Sequence, residues 1–188
     1  MIFILFAIQL LGIILALSIA TLIVLDMVGD VMSDAPFVGI PPEVVDSITN
    51  SFKLPPNSVL YDMGCGDGRV LLSAAKKYPQ SSFIGVEIAL LPYFLAKIKT
   101  RHFKNISIKR GNIFTTDIAN ATHFYIYLFP HVATKLFSDI KKQCKPGTKV
   151  FSADFMIAGE TPTQTIDLSK IDSTSKLGKV MYVYVVNS

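Results

Sequence analysis

Basic side chains are missing from the start of this sequence: the first lysine or arginine is Lys53. The positive-inside rule counts such residues within about 15–20 positions of a membrane span. Flanking charge therefore assigns no orientation to a hydrophobic N-terminus here. Only two cysteines are present, Cys65 and Cys144, which excludes a disulfide framework and a zinc cluster. No repeat of roughly 20–50 residues and no low-complexity tract is visible, so solenoids and arrays drop out. A mean hydropathy of +0.46 with 51% apolar residues excludes a disordered chain.

The charge that is present is lopsided. Asp26, Asp30 and Asp34 precede every basic residue, which leaves 18 basic against 11 acidic side chains from Ala35 onward, a net +7. Ahead of them, Ile2 to Leu25 is a run of 24 residues without a charge, with Gln9, Ser18 and Thr21 its only polar members. As a helix rising 1.5 Å per residue it reaches about 36 Å, enough to cross a hydrocarbon core of about 30 Å with some tilt. A cleaved signal peptide needs a basic n-region and a shorter apolar stretch, and a core helix normally carries a polar stripe. The run is read as an uncleaved transmembrane anchor over residues 1–25, followed by a connector over 26–40 and a catalytic domain over 41–188.

From residue 41 onward the patterning alternates. Helices are expected from Pro41 to about Phe52, over Val70–Tyr78, Leu90–Phe103 and His131–Cys144. Strands are expected over Ser58–Met63, Ser82–Val86, Ile106–Lys109, His123–Leu128, Lys149–Phe155, Gln164–Leu168 and Lys179–Val186. Such alternation predicts an α/β fold: a seven-stranded Rossmann-like sheet, mainly parallel, with a C-terminal antiparallel hairpin and helices on both faces.

The strongest local signal is Asp62-Met63-Gly64-Cys65-Gly66-Asp67-Gly68-Arg69, directly after the first strand. Glycines at 64, 66 and 68 let the backbone turn sharply and approach a ligand. A dinucleotide fingerprint would place its third glycine where Arg69 stands, and no Gly-Lys-Ser/Thr follows for a P-loop. Asp62 can bind an ammonium group, and N–H groups at the next helix start can meet a carboxylate. Glu87, which ends the second strand, can accept both hydroxyls of a ribose. Ammonium, carboxylate, ribose and base together describe S-adenosylmethionine. The competing reading is a tight turn followed by a solvated acid.

With these features residues 35–188 resemble the class I, seven-strand S-adenosylmethionine-dependent methyltransferases. Ala35-Pro36-Phe37-Val38, Pro42-Glu43-Val44-Val45, Gly111-Asn112-Ile113-Phe114, Tyr127-Leu128-Phe129-Pro130 and Ser152-Ala153-Asp154-Phe155 are similar to a narrower group. That group is the membrane-anchored protein-lysine methyltransferases that modify the ATP synthase c-subunit and the adenine nucleotide translocase, with their prokaryotic relatives. The resemblance implies a cofactor site of Phe37, Asp62, Gly64, Cys65, Gly66, Asp67, Gly68, Glu87, Asn112 and Ile113. Asn112 stands where class members usually carry aspartate, and its carbonyl can still reach an adenine amino group.

Methyl transfer to a lysine needs a neutral amine, which an apolar aromatic channel favours by desolvation. Tyr125 and Tyr127 share one strand face, so Phe129 and Pro130, at the strand end, are the expected channel residues. Asp154, ending the fifth strand, either orients the incoming amine or caps the next loop. The Asn/Asp-Pro-Pro-Phe/Tyr signature of amide and exocyclic-amine methylases is absent after strand four, which argues against adenine-N6 and glutamine methylation. No metal is expected. Partners are expected to be the bilayer and a protein in or at the membrane, not nucleic acid. Because the cofactor is made and kept there, the domain is expected in the cytoplasm, or in the matrix of an organelle. A small-molecule or lipid methyltransferase and a noncatalytic cofactor-binding module are the other readings of the same residues.

Overall fold

A computed structural model describes residues 2–31, 40–169 and 177–187. Phe37 and its Ala-Pro-Phe-Val segment lie outside the described residues. The chain divides into two units, Met1–Pro36 and Phe37–Ser188.

The first unit holds one helix, α1 (Ile2–Val31). Its stretch Ile2–Leu22, of mean hydropathy 2.8, is long and apolar enough to cross a membrane. The hydroxyls of Ser18 and Thr21 donate to the carbonyls of Ile14 and Leu17, at 2.8 and 2.9 Å. Those two polar groups are thereby satisfied inside the helix, as a hydrocarbon surrounding demands.

The second unit runs α2 (Pro42–Ser51), β1 (Val59–Met63), α3 (Arg69–Lys77), β2 (Ser82–Glu87), α4 (Leu90–Thr100), β3 (Ile106–Arg110), β4 (His123–Ile126), α5 (Pro130–Gln143), β5 (Lys149–Ala153), β6 (Gln164–Asp167) and β7 (Val180–Val185). The seven strands form one sheet in the order β3-β2-β1-β4-β5-β7-β6. β1 to β5 pair in parallel, and β7 joins antiparallel to both β5 and β6. The expected mainly parallel sheet with its terminal hairpin is present.

Two strands end two residues earlier than their hydrophobicity predicts. β4 stops at Ile126, not Leu128, because Phe129 must be extended (φ −56°, ψ 150°) to lead Pro130 into the first turn of α5. β5 stops at Ala153, not Phe155, because Asp154 takes a left-handed φ of 58°, which no strand residue shares. The helix after β2 likewise ends at Thr100 rather than Phe103.

One face of the sheet carries Asp62, Gly85, Tyr125 and Phe151 at matching register. Phe52, just past the end of α2, packs on Tyr125 and Phe151 with ring centroids 5.6 and 5.0 Å away. The other face carries Phe124, Ile126 and Val150 beneath the buried Leu136, Phe137 and Ile140 of α5. The strand order reverses between β1 and β4, so the C-terminal ends of β1, β2 and β4 flank the crevice where open α/β sheets bind ligands.

His123 at the start of β4 gives this core a pH response. Burial and the nearby Lys149 charge push its pKa down to about 4. Between the unfolded value near 6.5 and about 4, the unfolded chain binds the extra proton, so stability falls as pH drops through that window. The loss is on the order of 3 kcal/mol at most. Urea titrations at pH 7 and pH 4.5 should show it, and His123→Gln should flatten the difference.

Candidate active site

The loop between β1 and α3 is held in shape by glycine. Gly64, Gly66 and Gly68 have φ of 88°, 55° and 76°, in the region glycine enters without penalty. Close packing also needs glycine in the neighbouring strand: a Cβ at Gly85 would lie 2.6 Å from Cys65 Sγ and 2.7 Å from Leu71 Cδ1. Cys65 is thus a packing residue. Burial and the neighbouring acids push its thiol pKa far up, away from nucleophilic use.

Glu87 ties the loop to β2. Its two carboxylate oxygens accept the Gly66 N–H at 2.8 Å and the Ala89 N–H at 2.9 Å. These bonds fix the carboxylate at the C-terminal end of β2. Asp62, at 2% exposure, lies on the same face. Burial, then the charges of Glu87 and Asp67, raise its pKa well above the ordinary carboxylate value. A site that so disfavours its own anion is fitted to receive a cation.

Asp67 turns to a different task. It forms a two-point ion pair with Arg69, at 2.8 Å on each oxygen, and is also paired with Lys99 of α4. Arg69 in turn donates to the Ile40 carbonyl at 2.6 Å. Burial opposes ionisation of Asp67, but the hydrogen bonds and charges of Arg69 and Lys99 outweigh it and hold the pKa at about 2. Three segments are clamped together by this one acid. Asn112 is exposed, and its side-chain oxygen accepts the Phe114 N–H at 2.9 Å, which turns the chain after β3. Ile113 beside it is half-buried.

On the β4 side, Tyr127 and Phe129 both lean on Phe155, at 5.8 and 5.9 Å, and Phe129 stacks on His131 at 6.3 Å. Pro130 is exposed at the first turn of α5. Asp154 accepts N–H groups of Gly178, Lys179 and Val180 at 2.5, 2.7 and 3.2 Å. It caps the entry to β7 rather than the loop that follows it in sequence. Asp154→Ala should cost about 2 kcal/mol by stranding those donors. Thermal melts beside rate measurements at saturating substrate separate the roles: a rate that follows the folded fraction marks a structural acceptor.

The sequence assigns no role to the Tyr125 hydroxyl. Tyr125 is fully buried, and its hydroxyl has no hydrogen-bond partner. Burial, then Asp62, Tyr127 and Asp154, push its pKa well up, so it is a neutral donor beside the Asp62 carboxylate. Nothing local distinguishes this tyrosine from a core residue; only its cross-strand register with Asp62 does.

Residues 62–164, more than half of the chain, match the family model described as the ANTKMT methyltransferase domain. The chain belongs to that family. A protein-lysine N-methyltransferase of Saccharolobus islandicus (strain REY15A) is 34% identical over 154 residues, covering 80% of this chain and 93% of that protein. The crystal structure of an RNA methyltransferase from Salinibacter ruber, in complex with S-adenosyl-L-homocysteine, is 30% identical with a TM-score of 0.71. It covers 80% of this chain and 95% of its own. A precorrin-6y C5,15-methyltransferase from Geobacter metallireducens shares the fold alone, with a TM-score of 0.58 at 11% identity. The chain is an S-adenosylmethionine-dependent class I methyltransferase.

Proposed function

We propose that the enzyme is tethered to a membrane by α1 and methylates a lysine side chain of a protein in or at that membrane. The relative named as a protein-lysine N-methyltransferase supports the substrate class. The observation that carries the reading is the aromatic group that Tyr127 and Phe129, after β4, form with Phe155, after β5.

S-adenosylmethionine supplies an electrophilic methyl group on a sulfonium. Asp62 holds the negative charge that matches the cofactor's ammonium, and Glu87 accepts the ribose hydroxyls while keeping Gly66 in place. Gly64, Cys65, Gly66, Asp67 and Gly68 shape the backbone around the amino-acid part, and Asn112 and Ile113 border the adenine. Phe37, outside the described residues, belongs to this set by the family resemblance alone. Tyr127 and Phe129 exclude water, which lowers the pKa of an entering lysine and leaves a neutral nucleophile. Pro130 fixes the turn that presents Phe129. The tether raises the local concentration of membrane-bound acceptors.

The domain faces the cytoplasm, or the matrix of an organelle, where the cofactor is made and kept. Protease added to intact cells should leave it uncut, and digestion without lysis contradicts this placement. The Salinibacter structure bears the name RNA methyltransferase, so RNA is the second acceptor to test. Membranes and lysate incubated with methyl-labelled cofactor, then separated into protein, lipid and RNA, decide the acceptor class. The expected label is in membrane protein. Label in RNA or lipid overturns the reading.

A further inference from the structure

Helix α4 is built inside out. Its buried residues are small or short: Pro92, Ala96 and Thr100. Its large apolar residues face outward, with Leu91 57%, Phe94 50%, Leu95 40% and Ile98 56% exposed. The inward choice follows from the glycine loop, because a Cβ at Gly68 would stand 3.2 Å from the Ala96 Cβ and 3.3 Å from Thr100 Cγ2. The outward choice does not follow from packing. Spacing of i, i+3, i+4 and i+7 gathers the four side chains into one stripe. Ile88, 54% exposed, extends the patch to the residue next to Glu87. A contiguous exposed apolar patch on a folded domain marks an interaction surface.

The charge around the stripe says what covers it. From Ile88 to Arg110 there is no acidic residue, while Lys97, Lys99, Arg101, Lys104, Lys109 and Arg110 are basic. Lys97, Arg101, Lys104, Lys109 and Arg110 are exposed, and Lys99 is the one paired with Asp67. An apolar helix face bordered by lysine and arginine is the composition of a helix lying in a bilayer interface, apolar side among the acyl chains and cations at anionic headgroups.

We propose that α4 docks by Ile88, Leu91, Phe94, Leu95 and Ile98 on an anionic phospholipid bilayer, as a second attachment in addition to α1. This rests on the membrane-tethered reading and deepens it. The stripe begins next to the ribose-binding acid, so docking brings the cofactor site to the headgroup level, where a lysine at the end of a membrane segment lies.

The test uses the full chain in vesicles of phosphatidylcholine with or without phosphatidylglycerol. Flotation with the vesicles tests the tether by itself. A fluorophore on Phe94→Cys is then compared with one on Lys145→Cys, an exposed position just after α5; the native Cys65 and Cys144 are buried. Lipids spin-labelled on the acyl chain should quench position 94 several-fold more than position 145 in anionic vesicles. Lys97→Glu with Arg101→Glu and Lys104→Glu should abolish that excess without preventing flotation. Position 94 open to an aqueous quencher on floated anionic vesicles overturns the proposal. So does protection from both quenchers, which would mean that a second copy or another protein covers the stripe. Failure to float overturns the tether instead.

Discussion

Glu87→Ala should reduce cofactor affinity by about a hundredfold or more. Two effects add. The ribose loses a charged acceptor, which is worth about 1.5–3 kcal/mol, and the Gly66 and Ala89 N–H groups lose the carboxylate that both now use. The second effect loosens the glycine loop itself, so the loss exceeds what the ligand contact alone implies. Calorimetry with S-adenosylhomocysteine measures it. Glu87→Gln should fall in between, since an amide offers one acceptor oxygen where the carboxylate offers two. An affinity of Glu87→Ala within threefold of the parent would mean that this acid does not touch the ligand.

Asp62→Asn should move binding and stability in opposite directions. The folded-state pKa of Asp62 is raised, so the free enzyme binds its proton more tightly than the unfolded chain does. That group stabilises the fold at low pH and ceases to do so as pH rises through its folded value. A cationic ligand reverses the preference, because it favours the ionised form. Cofactor affinity should therefore increase with pH across the titration of Asp62. In Asp62→Asn this dependence should vanish. Where Asp62 is ionised, the variant's affinity should be lower by about tenfold or more, and its free form should be more stable by about 1 kcal/mol for want of that buried charge. Paired melts and binding isotherms over a pH series that spans the titration contain the whole pattern. A pH-independent affinity in the parent would remove Asp62 as the cation's partner.

Element type was legible wherever period and punctuation agreed. Pro55-Pro56-Asn57, the glycine loop and Pro146-Gly147 bracket segments whose order alone implies a mostly parallel sheet. Strand ends were less legible, because they depend on backbone events one residue wide: the extended Phe129 before Pro130 and the left-handed Asp154. The acids of the site were visible as residue types but not as partners. Asp67 looks like part of a ligand loop, yet Arg69 and Lys99 claim it. Lys99 comes from another helix, and no spacing rule encodes that meeting. Tyr125 is hidden for the same reason, since its neighbour Asp62 is on a different strand. Helix α4 is the sharpest case. Periodicity alone sends Leu91, Phe94 and Ile98 inward, but the close approach to Gly68 admits only Ala96 and Thr100 there.

Transfer of the methyl group to a lysine Nζ is tested most directly by tandem mass spectrometry of membrane proteins after incubation with isotopically labelled S-adenosylmethionine, with Glu87→Ala run in parallel. Labelled methyl-lysine is expected in a membrane-associated protein and should be lost in the variant. Label confined to other residue types, or lysine label equally abundant with Glu87→Ala, would contradict it.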